Sequence, residues 1–332
     1  PHLLEQKKEV GVDRRLASRV DPLGHATRFI YVRGQLRTLI DPAGHATQVA
    51  YDAHNNPIEL QAPDGTMRHW EYDVLGRVTA VTDANGNVQL RTHDLLGRPV
   101  RIDEPDGNTR KLAYDPEGNA VRIKDAQHDV YFSYQGMGRL ASRSEAGTTV
   151  RFAYDTEEQL IAITNEHGHV YRFELGPTGE VLAEHGFDGV RRVYQRDRAG
   201  RVSAVTRTSG VISRYRYDEA YRLREVEHSD GAREAYRYRL DGALVEARNQ
   251  TCAVLFVRDA LGSVLREVRG DHWVSSEYDP RGLRVRMQSS LGADQRIERN
   301  AMGDVVGLSH ASMGAAKPFA AKLTRDALGL EI

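Results

Sequence analysis

The pair Tyr-Asp returns along this chain at a nearly fixed step. Tyr51-Asp-Ala-His-Asn55, Tyr72-Asp-Val-Leu-Gly76, His93-Asp-Leu-Leu-Gly97 and Tyr114-Asp-Pro-Glu-Gly118 stand 21 residues apart. Steps of 20 or 21 carry the first slot on through Tyr134, Tyr154, Leu175, Arg196, Tyr217, Tyr238, Arg258, Tyr278 and Arg299. A last copy, Arg325-Asp-Ala-Leu-Gly329, follows after a step of 26, and an earlier copy ends at Gly34. Length alone, 332 residues, suggests about two domains. A repeat that covers nearly the whole chain without a shift in composition replaces that expectation with one continuous array.

Each unit reads as two strands and two turns. In Asp41-Pro-Ala-Gly44, Asp83-Ala-Asn-Gly86 and Pro63-Asp-Gly65, Asp bonds its own backbone, Pro presets φ and Gly takes positive φ. The run Thr66-Met-Arg-His-Trp-Glu-Tyr72 places Trp70 and Tyr72 on one face of a strand. A tight turn at Asp73-Val-Leu-Gly76 leads to the return strand Arg77-Val-Thr-Ala-Val81. The fifth residue after the turn Gly slot is large and apolar in most units: Leu39, Leu60, Val81, Ile102, Ile123, Ile163, Val205, Val226, Met287 and Leu308. This predicts a buried row along the sheet, broken at Arg143, Glu184 and Glu267, where exposure or pairing is expected. Helix signals are almost absent. The ends, 1–20 and 309–332, are irregular relative to the repeat, with a loop or short helix expected over Ala311 to Lys322.

The fold class predicted is therefore all-β, a long antiparallel strip of hairpins. About 30 strands at a spacing of about 4.8 Å would make a ribbon of about 145 Å. Open sheets rarely exceed about ten strands without curling, and right-handed strand twist gives the curl one sense. A strip with no helices to cover it is expected to coil into a hollow wall.

Composition narrows the chemistry. Forty-six Lys+Arg against 47 Asp+Glu leave a net charge of -1, which argues against bulk-charge binding of nucleic acid. The one cysteine, Cys252, excludes an intrachain disulfide and a four-thiolate zinc ribbon. No apolar run reaches a membrane span, and Pro1-His-Leu-Leu-Glu-Gln-Lys-Lys is not a secretory signal. His167-Gly-His169 has metal-like spacing but no evident third ligand. The acid pairs Asp103-Glu104 and Glu157-Glu158 fall in turns, where solvation and backbone bonding account for them. Cys252 reads as a small hydrophobe in the strand Thr251-Cys-Ala-Val-Leu-Phe. Arg214-Tyr-Arg-Tyr217 and Arg191–Arg198 interleave Arg with Tyr, yet strand alternation puts rings and charges on opposite faces, so no single-strand stacking groove results. An Asp that recurs about ten times behaves as a turn former, since a catalytic residue would occur once. No catalytic, cofactor or metal residues are expected.

The phrases Tyr72-Asp-Val-Leu-Gly76-Arg77-Val78-Thr-Ala-Val81 and Asp83-Ala-Asn-Gly86-Asn resemble the YD repeats of the Rhs family, with the diagnostic pair at Tyr51-Asp52, Tyr114-Asp115, Tyr154-Asp155, Tyr217-Asp218 and Tyr278-Asp279. The resemblance covers about residues 21–308. It marks Tyr51, Asp52, Tyr72, Asp73, Gly76, Tyr114, Asp115, Gly118, Tyr154, Asp155, Tyr217, Asp218, Tyr278, Asp279 and Gly282 as the structural residues of the repeat.

What the resemblance implies is a spiralling β cocoon, as in bacterial polymorphic toxins, the C component of ABC insecticidal toxins and teneurins. The chain would be non-enzymatic shell wall around a C-terminal toxic domain, shielded until delivery. It would be held in the bacterial cytoplasm and then exported without a classical signal. Partners implied are the enclosed toxin domain, a PAAR/VgrG spike and an Eag-type chaperone, with no nucleic acid, no cofactor and membrane contact only during delivery. The start at Pro1 resembles cleavage before proline in type VI secretion Rhs effectors, and an arbitrary cut fits equally well. Family shells end in an Asp-Pro-x-Gly-Leu plug with a self-cleaving Asp pair. The nearest phrase here, Asp326-Ala-Leu-Gly-Leu330, fits better as a repeat start, so self-cleavage and toxin are expected outside this chain. The alternative is an adhesion or carbohydrate-binding YD-repeat module of the teneurin or wall-associated type.

Overall fold

The structure is a computed structural model and describes residues 7–10, 15–312 and 319–332. Every regular element among these residues is a strand, and all the strands lie in one sheet. Pairing is antiparallel between strands consecutive in the chain. Met67–Tyr72, for example, pairs with Val78–Thr82, and Thr148–Tyr154 with Leu160–Thr164. The terminal strands Lys7–Val10 and Phe319–Lys322 pair with Leu16–Val20 and Val305–Ser312 respectively, and the sheet is open rather than a closed barrel. The loop or helix expected over 311–322 is strand at both ends, Ala311–Ser312 and Phe319–Lys322, while 313–318 lie outside the described residues.

The chain divides into two compact units, Pro1–Gln89 with Tyr236–Ile332, and Leu90–Ala235. In each, register is set by the Tyr-Asp turn. Pairing shifts by one residue just before the slot, between Glu71 and Tyr72 against Ala80 and Val78, and again between Ala153 and Tyr154. This is a bulge at the base of these hairpins, which adds local twist. Beyond it the apolar row meets a partner that the sequence pattern had not marked. Val81 faces Trp70, Ile163 faces Phe152, Val205 faces Tyr194 and Val226 faces Tyr215. Cross-strand aromatic and β-branched pairs of this kind are the unit of sheet stabilisation.

Burial departs from the expectation. Val205 and Val226 are buried, but Leu39, Leu60, Val81, Ile102, Ile123, Ile163, Met287 and Leu308 are half-buried. Among the described residues the fully buried apolar side chains are alanines and valines. The physical reason is that no helix among the described residues covers the sheet, so large side chains are shielded mainly by their in-sheet neighbours. At the three breaks, Arg143 pairs with Glu145, Glu184 pairs with Arg192, and Glu267 is exposed.

Candidate functional site: the turn and the ladder between hairpins

The repeated site begins with one aspartate. At Asp73–Gly76 the backbone closes through Gly76 N–H to Asp73 O (2.9 Å) and Asp73 N–H to Arg77 O (2.9 Å). The Asp73 carboxylate then accepts Leu75 N–H (2.9 Å) and Arg77 N–H (3.0 Å) on Oδ1, and Arg77 Nε (2.6 Å) on Oδ2. The same set recurs at Asp94 with Arg98, Asp197 with Arg201 and Asp218 with Arg222. Where the fifth residue is Asn, as after Asp52, Asp83 and Asp115, its Nδ2 replaces the guanidinium. Gly76 has φ +76°, which an L side chain adopts only at a cost, yet Asn55 (+70°), Glu158 (+61°) and Tyr221 (+64°) fill the same slot in three turns.

These bonds set the electrostatics. At Asp73, Asp94 and Asp218 the backbone N–H of the following Arg is the leading cause that holds the carboxyl below its ordinary range. At Asp52, Asp115 and Asp197 the leading cause is the side chain of Asn56, Asn119 or Arg201. Asp279 is held low as well, against the opposing effect of its burial, by Leu283 N–H and Arg281. A carboxylate that accepts several N–H groups is stabilised in its charged form.

Tyrosine performs the second half of the job. Its hydroxyl reaches back to the hairpin before. Tyr72 donates to Pro57 O (2.8 Å), Tyr114 to Pro99 O (2.8 Å), Tyr154 to Leu140 O (3.0 Å), Tyr217 to Val202 O (2.8 Å), Tyr278 to Val264 O (2.9 Å) and Tyr51 to Leu36 O (3.0 Å). Each acceptor is the carbonyl of the residue paired across from the previous first slot, at or next to the start of the previous return strand. Burial raises the hydroxyl pKa of Tyr72, Tyr114 and Tyr217. Arg98 and Arg201, whose guanidinium groups cap the Asp of one turn, stand 4.6 and 4.7 Å over the rings of Tyr114 and Tyr217 in the next unit.

Sequence reasoning placed arginines in the same slot without giving them a role. Arg258 Nε donates to Leu244 O (2.7 Å) while its other nitrogen reaches Gly262 O (2.7 Å). Arg299 and Arg325 do the same with Arg284 O and Gly303 O, and with Val305 O and Gly329 O. The long planar fork replaces the phenol and adds a bond to its own turn. The signal was the recurrence of Arg-Asp or Arg-Asn at the Tyr-Asp position.

The other candidates are placed apart. His167 and His169 lie 6.3 Å apart between ring centres and are exposed. Among the described residues no group of three or more His, Cys, Asp or Glu could hold a metal. Asp103 accepts from Arg101 and Thr109, and Glu158 pairs with Arg139. Cys252 is not in a strand. It closes the turn from Asn249, accepting Asn249 N–H on its carbonyl, and the strand begins at Ala253. In Ile212–Tyr217 the arginines are exposed and the tyrosines half-buried, and Arg216 pairs with Glu225. A recess of about 700 Å³ has Arg172, Glu174 and His185 in its lining, and there Glu174 lies 2.8 Å from His185 Nε2 and 3.1 Å from Arg191.

Comparison with known proteins agrees with this repeat. The RHS repeat family model matches residues 32–67, 51–88, 72–109 and 196–235. These stretches are RHS repeats. Similar solved structures include a chain of the TcdB2-TccC3-Cdc42 complex, 11% identical over 96% of this chain with a TM-score of 0.80, and one of TcdB2-TccC3, 12% identical over 97% with a TM-score of 0.79. A chain of the Photorhabdus luminescens Tc holotoxin pore, 13% identical over 97%, matches with a TM-score of 0.58. This chain spans 22% of the length of each of those chains. No curated protein sequence matches it. At such identities the likeness is one of fold.

Proposed function

We propose that this chain is wall: a stretch of an encapsulating RHS shell that encloses and shields a toxic domain of the same polypeptide until delivery into a target cell. The observation that carries the reading is the single continuous sheet itself. The Asp, Tyr and Arg of the turns described above bond their own turn or the neighbouring hairpin, which is work suited to a container. The likeness to a chain of the Tc holotoxin pore supports the same reading. Delivery on a type VI spike, with a PAAR/VgrG tip and an Eag-type chaperone, is the finer form of the proposal and rests on the Rhs resemblance at the Tyr-Asp repeats.

Limited proteolysis of the polypeptide with its natural flanking sequence tests it. The downstream segment should resist cleavage while the wall is folded and become sensitive once the wall is opened by acid or denaturant. Equal cleavage of that segment before and after opening would sink the proposal. Co-purification with the spike or chaperone tests the delivery route separately.

A further inference from the structure

The final Asp-x-Leu-Gly turn is seated where two of its counterparts are bare. Leu75 and Leu96, third residues of the turns at Asp73 and Asp94, are 71% and 75% exposed. Leu328, third residue of the turn at Asp326, is half-buried. With Ala327 it lines a cavity of about 200 Å³ whose other walls include Leu60, Ala62, Thr66 and Met302. Across the seam stands Asn85. Its Nδ2 donates to Asp326 Oδ2 (2.8 Å), and its Oδ1 accepts Ala327 N–H (3.1 Å), over a separation of 241 residues for the first and 242 for the second. Asn85 can give both ends of its amide because its own turn uses only its backbone: Asp83 accepts Asn85 N–H (2.9 Å) and Asn87 N–H (2.9 Å). Asn85, the cavity walls and the turn at Asp326 all belong to one compact unit.

In an array of repeats each unit normally feels only its neighbours, and terminal units fray first. We propose that Asn85 and the adjoining cavity form a clasp that recognises the Asp326-Ala-Leu-Gly329 turn and ties the hairpins of residues 57–89 to the last repeat, so that both stretches open together. The clasp combines a two-point amide contact, one arm of it to a carboxylate, with a seat for Leu328 that is apolar at Leu60, Ala62 and Met302 and polar at Asp64, Arg68 and Asp304. Charge-assisted bonds of this type are the stronger class. Asn85 is also the first cause of the lowered pKa of the Asp326 carboxyl.

Hydrogen exchange of the whole chain, with and without a charge swap, decides the matter. Asn85→Asp sets a carboxylate against Asp326. It should speed exchange about tenfold in both 57–72 and 319–330, the factor expected for losing one charged hydrogen bond, and leave Thr148–Tyr154 unchanged. Adding Asp326→Asn restores a donor opposite the new carboxylate and should return both stretches to the original rates. Asn is already tolerated in that slot at Asn300, where it accepts Asp304 N–H (2.9 Å). Faster exchange confined to 319–330, or no recovery in the double variant, would overturn the clasp.

Discussion

At the scale of the residue, one turn position and one hydroxyl carry the repeat. Gly65 has φ +86°, and a Cβ there would meet nothing within 4 Å, so its cost is purely backbone. Gly65→Ala should destabilise by about 1–2 kcal/mol, and Gly65→Asn by less, as Asn55 already shows the left-handed slot accepting Asn. Equal urea midpoints for the two variants would contradict this. Removing the hydroxyl in Tyr114→Phe leaves the ring in place but strands Pro99 O, at an expected cost of about 1 kcal/mol. The aspartates add a pH dependence with a definite sign. The carboxyls of Asp73, Asp94 and Asp218 lie below the ordinary 3.8 in the folded state, and those of Asp129 and Asp241 fall to about 2. Their stabilisation is full above the unfolded value and is lost as pH falls through the folded ones. The melting temperature should therefore hold down to about pH 4 and drop between about pH 4 and 2, which circular dichroism melts across that range would show.

At the scale of the element, the hairpin was legible and its bonds to its neighbours were not. Asp, Gly and period-2 alternation act within a few residues of one another, so the turn at Asp73 and the shared face of Trp70 and Tyr72 could be read directly. The acceptor of Tyr72 lies 15 residues back, at Pro57, and no local pattern marks a carbonyl as spare. The equivalence of Arg258 and Tyr was hidden for the same reason, because it resides in an acceptor and not in a side-chain type. Glu184 shows how a break in the apolar row is accommodated. It accepts Tyr194 OH (2.7 Å) and Arg192 (3.3 Å), and burial together with this bond pushes the Tyr194 hydroxyl up to about 12. Glu184→Gln keeps an acceptor but removes the charge, so Tyr194 should titrate closer to 10. An ultraviolet titration referenced to Tyr194→Phe isolates that group, and an unchanged value would mean that burial alone sets it.

At the scale of the whole chain, two rules compete, and a deletion separates them. The ladder is local. Removing residues 135–154 joins Tyr134 to Asp155 and restores a Tyr-Asp pair, so strand alternation and the hydroxyl bonds on either side are preserved. By contrast, deleting Val150 alone would turn the rest of its strand over, and every later side chain would change face until the next turn reset the register. On nearest-neighbour energetics the whole-unit deletion should therefore fold and the single-residue deletion should be far worse. The contact between Asn85 and Asp326 obeys a different rule, because it depends on how many hairpins separate its partners. The unit deletion should leave β content per residue unchanged by circular dichroism while residues 57–72 exchange as fast as they do in Asn85→Asp. If those residues stayed protected, the count of repeats between Asn85 and Asp326 would be free to vary, and the ladder alone would hold the strip.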